Sequence, residues 1–118
     1  MLLNKSKTVV VKIGSSLLID QNNQIRKKWL SGFSADIKDL INQKKNVIIV
    51  SSGAIALGCK KLKLKKSSLK IDKSQAIASI GQIELMNLLN KIFSFKKINL
   101  SQMLLTLEDT EQRRRAIN

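Results

Sequence analysis

Two short apolar segments, each followed directly by small residues, constrain the fold of this chain more than any other feature. Thr8 to Ile13 (TVVVKI) and Val47 to Val50 (VIIV) are rich in β-branched residues, a pattern typical of buried strands in a parallel sheet. Each leads into serine and glycine, at Gly14 to Ser16 and at Ser51 to Gly53. We therefore expect two tight turns at the ends of two buried strands.

Helical periodicity appears between and after these strands. Apolar residues recur at steps of three and four from Trp29 to Ile41, which predicts one face of an amphipathic helix. Ala54 to Leu62 (AIALGCKKL) and Ser74 to Phe95 are also predicted to be helical. Asn99 to Thr106 has the composition of a third apolar strand, and Glu108 to Arg115 that of a further helix start.

The order of these elements is strand, helix, strand, helix, helix, strand and helix start. This alternation favours an α/β fold with a mostly parallel sheet covered by helices. Such sheets bind ligands at the carboxyl ends of their strands, where both small-residue turns are expected to lie. No strand follows the last helix start, so we expect the 118 residues to form one part of a larger fold.

Positive charge is the strongest compositional feature of the chain. Its 22 lysines and arginines and 8 acidic residues give a formal net charge of +14. This excess is compatible with an anionic partner such as nucleic acid. However, the basic stretch at 60–70 (KKLKLKKSSLK) contains no aromatic residue on which bases could stack. We therefore interpret most of the charge as a solvated surface, with a nucleic-acid-binding module as the alternative.

The scarcity of some residue types excludes several kinds of site. Histidine is absent, which excludes His-based catalytic triads and His metal ligands. Cys59 is the single cysteine, so no disulfide forms within the chain; we interpret Cys59 as a packing residue and expect a reducing, cytoplasmic location. No apolar run approaches the ~18 residues of a membrane span, and the start MLLNKSK lacks a signal-peptide core. We expect no membrane partner.

Lys12 and the turn after it form the first candidate site. An ammonium near the end of a buried strand would lie at the ligand edge of the sheet. Gly14 has no Cβ and allows close backbone approach to a ligand, and Ser15 adds a hydroxyl and a backbone N–H. Together these groups predict an anion-binding turn, with phosphate as the natural ligand. A structural turn beside a surface lysine is the alternative.

The second candidate site is the turn in VSSGAIALG. Ser52 and Gly53 follow a strand and open a helix, and the backbone N–H groups of a helix N-terminus suit a carboxylate or phosphate. Simple capping of the helix by Ser51 or Ser52 is the alternative.

Four segments, in this order and spacing, resemble the glutamate 5-kinases, a branch of the amino-acid kinase family. They are VVVKIGSSLL, VIIVSSGAIALGCKKL, KSQAIASIGQIELM and SQMLLTLED. The resemblance implies an αβα sandwich of the amino-acid kinase fold. It implies transfer of the γ-phosphoryl group of ATP, with Mg²⁺, to the side-chain carboxylate of L-glutamate. The product would be glutamyl 5-phosphate, in the first step of proline biosynthesis.

The resemblance also implies roles for individual residues. Lys12 matches the lysine that contacts the ATP phosphates, and Gly14 and Ser15 match the phosphate-side loop beside it. Ser52 matches the serine that holds the glutamate substrate, and Gly53 and Ala54 complete that loop. No metal ligand is identified in the sequence.

The family's kinase domain is about twice as long as this chain, so residues 1–118 are expected to be its N-terminal, glutamate-side part, with no second domain. The family's later glutamate-binding residues, adenine contacts and second phosphate lysine have no matching positions here. The resemblance thus predicts an incomplete active site, and a second copy or a complementing chain is left open as a partner. The remaining alternatives are a non-catalytic basic fragment that acts as a nucleic-acid-binding or partner-association module, and another amino-acid kinase, such as one like acetylglutamate kinase.

Overall fold

The computed structural model describes residues 5–65 and 71–103 of the chain. Within these ranges the elements follow one another as β1 (Thr8–Ile13), α1 (Ser15–Leu18), α2 (Lys27–Asn42), β2 (Asn46–Ser51), α3 (Ala54–Leu62) and α4 (Ile71–Ser94). No helix in the described ranges is both long enough and apolar enough to cross a lipid bilayer.

The two strands form a parallel pair. The register runs from Thr8 opposite Asn46 to Ile13 opposite Ser51, with α2 in the connection between the strands. Parallel strands need such a crossover because the end of one strand and the start of the next lie at opposite edges of the sheet. The predicted α/β class with a parallel sheet is therefore confirmed, as are both predicted strands. The prediction that the strands are buried is wrong for one face of each strand, and Ile13 is the one fully buried residue of the pair.

The helices also follow the predicted pattern, with small differences at their ends. Helix α3 has the predicted bounds at both ends. Helix α2 extends by one or two residues beyond the apolar positions from Trp29 to Ile41. Helix α4 begins three residues before the predicted Ser74. The predicted tight turn at Gly14 continues into α1, a single helical turn. Residues 98–103 form no strand, so the prediction of a third strand is wrong there. Residues 104–106 and the predicted Glu108–Arg115 helix start lie outside the described residues.

The three longer helices end in the same way, at a lysine with left-handed backbone. Lys44, Lys63 and Lys97 have φ values of 66°, 58° and 57°. The N–H of the next residue then donates to a carbonyl five positions earlier, as in the bond from Leu64 to Cys59 at 2.9 Å. Glycine usually takes this position because it has no Cβ. In this chain lysine takes it, at a conformational cost of about 1–2 kcal/mol per residue.

The two faces of the β1–β2 sheet have different surroundings. One face packs into the core, where Ile13 is buried with residues of all four helices, namely Leu18, Leu30, Ile37, Leu57, Leu85, Leu89 and Phe93. On the other face, Val10, Ile48 and Val50 are 62%, 52% and 48% exposed. The described ranges therefore provide one helical layer of the predicted αβα sandwich.

Helices α3 and α4 approach each other closely at two glycines. A Cβ added at Gly81 of α4 would overlap the Ala54 carbonyl of α3 and lie 2.6 Å from the Gly58 nitrogen, and a Cβ at Gly58 would overlap the Ile77 carbonyl. An ion pair between Lys61 and Glu84 (2.8 Å) spans the same pair of helices. The absence of side chains at these two positions therefore sets the distance between α3 and α4.

We predict that Gly81→Ala lowers the free energy of unfolding by about 2–3 kcal/mol, because the added methyl group meets backbone atoms that cannot rotate away. Urea denaturation followed by circular dichroism measures the change. Gly32→Ala is the matched control, because Gly32 lies in α2 and a Cβ there meets nothing within 4 Å. This control should gain about 0.5–1 kcal/mol from helix propensity. Equal stability of Gly81→Ala and wild type would contradict the close helix contact.

Candidate functional site

The two small-residue turns begin side by side at one edge of the sheet. Ile13 and Ser51 are paired partners at the ends of β1 and β2. Gly14 and Ser52 are the next residues of their strands, so each turn starts one position beyond the last pair. This is the carboxyl edge, where parallel sheets bind ligands. The register therefore brings the predicted phosphate-side and glutamate-side residues together.

Lys12 lies one residue before the first turn, opposite Val50. Its side chain is exposed. Side chains alternate along a strand. The Lys12 side chain therefore lies on the same exposed face of the sheet as Val10, and the buried Ile13 side chain lies on the other face. The ammonium is thus accessible near the carboxyl edge, outside the packed core.

The first turn has open space at its glycine and a firmly bonded backbone. Gly14 has extended backbone (φ −77°, ψ 162°), and a Cβ there would meet nothing within 4 Å. The Gly14 carbonyl accepts a hydrogen bond from the Leu17 N–H at 3.1 Å, and the Ser15 carbonyl accepts one from the Ile19 N–H at 3.1 Å. Both Gly14 and Ser15 are half-buried. The turn therefore has a fixed shape with room for a group beside Gly14.

The second turn is held by the start of α3. Gly53 is the N-cap residue, and no side-chain hydrogen bond caps the helix. The Gly53 N–H donates to Ser51 Oγ at 3.2 Å, and the Gly53 carbonyl accepts from the Leu57 N–H at 3.0 Å. Ser52 is exposed, whereas Ala54 is half-buried. Capping is therefore not the role of Ser52, an exposed residue that directly precedes the helix N-cap.

Leu18 connects the two turns, a contact that the sequence pattern does not reveal. It is fully buried at the end of α1, and a Cβ at Gly53 would overlap its Cδ1 atom and lie 3.6 Å from its Cγ atom. In the sequence Leu18 is one apolar residue among several, 35 positions before Gly53. Only the fold identifies it as the side chain that covers the second turn.

A cavity of about 250 Å³ lies beside the first turn, between α1 and α3. Its lining residues are Ser15, Ser16, Ile19, Asn23, Ala56, Cys59, Lys60 and Leu64. Ser15 is the one predicted site residue in this lining. Cys59 is buried, in agreement with its interpretation as a packing residue, and the Lys60 ammonium donates to the Asn23 carbonyl.

Acidic and thiol groups are dispersed in the described part of the chain. Within residues 5–65 and 71–103, no three Cys, Asp, Glu or His side chains are grouped so that they could hold a metal ion. The positive end of the α3 dipole and the Lys12 ammonium are therefore the features of this edge that favour an anion.

Comparison with known sequences shows that this chain is similar to part of several curated kinases. A glutamate 5-kinase from Pelagibacter ubique (strain HTCC1062) is 68% identical over 118 residues, which are 100% of this chain and 32% of that protein. Glutamate 5-kinases from Nitrobacter hamburgensis and Rhodopseudomonas palustris (strain HaA2) are 48% and 45% identical over 117 residues. Each of these two alignments covers 98% of this chain and 31% of the relative. The chain thus spans about a third of the length of the curated relatives it matches.

The predicted resemblance to part of a glutamate 5-kinase is confirmed by these alignments. The sequence profile of the Amino acid kinase family matches residues 7–118, which include both turns and every predicted site residue. The parallel β1–β2 pair with its helical crossover agrees with an α/β kinase fold. This chain belongs to the amino acid kinase family.

Proposed function

We propose that this chain carries the phosphate-side lysine and the glutamate-side turn of a glutamate 5-kinase. The reaction transfers the γ-phosphoryl group of ATP to the side-chain carboxylate of L-glutamate and forms glutamyl 5-phosphate. The observation that carries this proposal is the pairing of Ile13 with Ser51, from which the two turns emerge side by side. The names of the relatives support glutamate as the acceptor over other amino-acid kinase substrates.

Lys12 has the properties of a phosphate ligand in this proposal. Phosphoryl transfer depends on positioning and on neutralising charge at the phosphoryl oxygens more than on covalent chemistry by the protein. An exposed ammonium near the carboxyl edge can approach the β- and γ-phosphates. Gly14 and Ser15 would receive the phosphate oxygens with backbone N–H groups, and the open space at Gly14 leaves room for them.

Ser52, Gly53 and Ala54 would bind the glutamate. The exposed Ser52 hydroxyl can donate to a carboxylate, and the first N–H groups of α3 carry partial positive charge. The attacking carboxylate of glutamate is already ionised at neutral pH, so this chemistry needs no general base. A chain without histidine can therefore perform its part of the reaction.

Mg²⁺ would accompany ATP and screen the charge of its phosphates. The described residues contain no cluster of acidic or thiol side chains that fits a metal ion, so we assign no protein ligand to it. The remaining two thirds of the relatives' length has no counterpart in these 118 residues. We place the adenine contacts and further glutamate contacts outside them, in a complementing segment or chain, and propose a cytoplasmic protein of proline biosynthesis.

We predict that Lys12→Ala weakens binding of a non-hydrolysable MgATP analogue to the chain by about threefold to tenfold, because a hydrogen bond to phosphate from an exposed ammonium, screened by water, contributes about 0.5–1.5 kcal/mol. Titration calorimetry measures the affinity. The matched control is Lys28→Ala, an exposed lysine on α2, which should leave the affinity within about twofold, as expected for a surface charge.

Turnover provides a second measurement of the Lys12 role. Hydroxylamine traps the acyl phosphate as γ-glutamyl hydroxamate, and any glutamate- and MgATP-dependent signal should disappear in Lys12→Ala while the urea midpoint stays unchanged. Equal activity in this variant, or equal loss of nucleotide affinity in both lysine variants, would contradict the assignment.

We predict that Ser52→Ala weakens binding of L-glutamate by about tenfold to a hundredfold, because it removes a hydroxyl that donates to a carboxylate. It should leave the affinity for the nucleotide unchanged. Ser94→Ala is the control, since Ser94 is an exposed serine at the end of α4. If Ser52→Ala and Ser94→Ala bind glutamate as wild type does, the second turn is not the glutamate site.

A further inference from the structure

The Leu18 backbone is tied to the chain that follows it. Its carbonyl accepts a hydrogen bond from the Arg26 N–H at 2.9 Å, and Arg26 Nε donates to the Ser16 carbonyl at 2.8 Å. Ile19 and Ile25 form an antiparallel bridge just beyond. These bonds hold α1 and the first turn against residues 25–26. The Leu18 backbone is therefore fixed in place, and its side chain points into the core.

The Gly53 backbone is equally constrained from the other side. Its N–H and carbonyl are bonded to Ser51 Oγ and the Leu57 N–H. The Leu18 side chain fills the space that a Cβ on Gly53 would occupy. The hydrogen-bonded backbones at Leu18 and Gly53 are thus separated by the Leu18 side chain alone, and this side chain prevents them from moving closer together.

We propose that Leu18 is a positioning residue that fixes the spacing between the first turn (Gly14–Ser15) and the second turn (Ser52–Ala54). This inference rests on the proposed function, in which one turn receives the phosphates and the other the glutamate. In-line transfer requires the two reactants at a set distance, and a misplacement of 1 Å costs on the order of a hundredfold in rate. In this proposal the Leu18 side chain contacts neither ATP nor glutamate, but it sets the distance between the two turns that bind them.

The competing explanation is that Leu18 is an ordinary core residue. It belongs to the same buried cluster as Leu89 of α4, and truncation of either side chain removes buried apolar surface and leaves a cavity. Leu89→Ala is therefore the matched control, because it makes the same chemical change in the same core on a different helix.

The first measurement is native-state hydrogen exchange of the Gly53 and Leu57 amides in both variants. We expect Leu18→Ala to increase their exchange about tenfold beyond the change in global stability, because the contact that restrains this backbone is lost. Leu89→Ala should increase it only as far as global stability falls. Equal increases in the two variants would overturn the proposal. If Leu18→Ala does not fold, Leu18→Val provides the same comparison.

The second measurement tests the contact itself with Gly53→Ala in two backgrounds. In wild type the new methyl group meets Leu18, and we expect Tm to fall by roughly 5 °C or more. In the Leu18→Ala background the space is free, so the further fall should be less than about half as large. Additive changes would show that Leu18 does not restrain Gly53.

Ligand binding separates this inference from the proposed function. We expect Leu18→Ala to weaken L-glutamate binding about tenfold more than Leu89→Ala does, with recovery in Leu18→Met, which restores most of the side-chain volume. If wild type binds neither glutamate nor the nucleotide analogue, the proposed function fails while the exchange measurement still decides whether Leu18 restrains the turn. If wild type binds both and the two alanine variants bind equally, the positioning role is overturned.

Discussion

The parallel register of β1 and β2 is the constraint on which the rest of the site depends. Ile13 opposite Ser51 places both turns at one edge. A shift of one residue would turn every side chain of a strand to the other face, exposing Ile13 and directing Lys12 into the core. Burial of Ile13 among helical residues therefore stabilises the register, and the same register keeps the Lys12 ammonium accessible.

The glycines in the segments that resemble the kinase family have two separate roles, one in helix packing and one at the second turn. Gly58 and Gly81 let α3 and α4 pack backbone against backbone, which fixes where α3 begins relative to the core. Gly53 lies at that beginning and receives Leu18 in place of a side chain. A motif that resembles one substrate loop in the sequence thus combines an exposed residue, Ser52, which we propose binds the substrate, with neighbours that hold it in place.

The sequence was sufficient to predict the secondary structure elements that depend on local patterns of residues. β-branched runs predicted both strands, apolar periodicity predicted α2 to within two residues, and the segment AIALGCKKL was predicted to be the helix α3. The absence of a strand at 98–103 was not predictable, since pairing of an apolar run depends on a neighbour elsewhere in the fold. The contact between Leu18 and Gly53 was hidden for the same reason. The residues themselves predicted two turns suited to anions, and only the resemblance assigned ATP phosphates to Lys12 and glutamate to Ser52, because bare turns of this kind serve many purposes.

The two halves of the proposed site differ in how far these residues preorganise them. Gly53 is buried, its N–H and carbonyl are both hydrogen-bonded, and Leu18 packs against it, so the turn proposed to bind glutamate is already held in place within these 118 residues. Lys12 lies on a sheet face where Val10 and Val50 are about half exposed, and water screens a charge there strongly. Catalytic stabilisation by an ammonium requires a dry, fixed surrounding. The apolar side chains around Lys12 would supply that surrounding once a second layer covers this face, so the phosphate side depends more on additional protein than the glutamate side does.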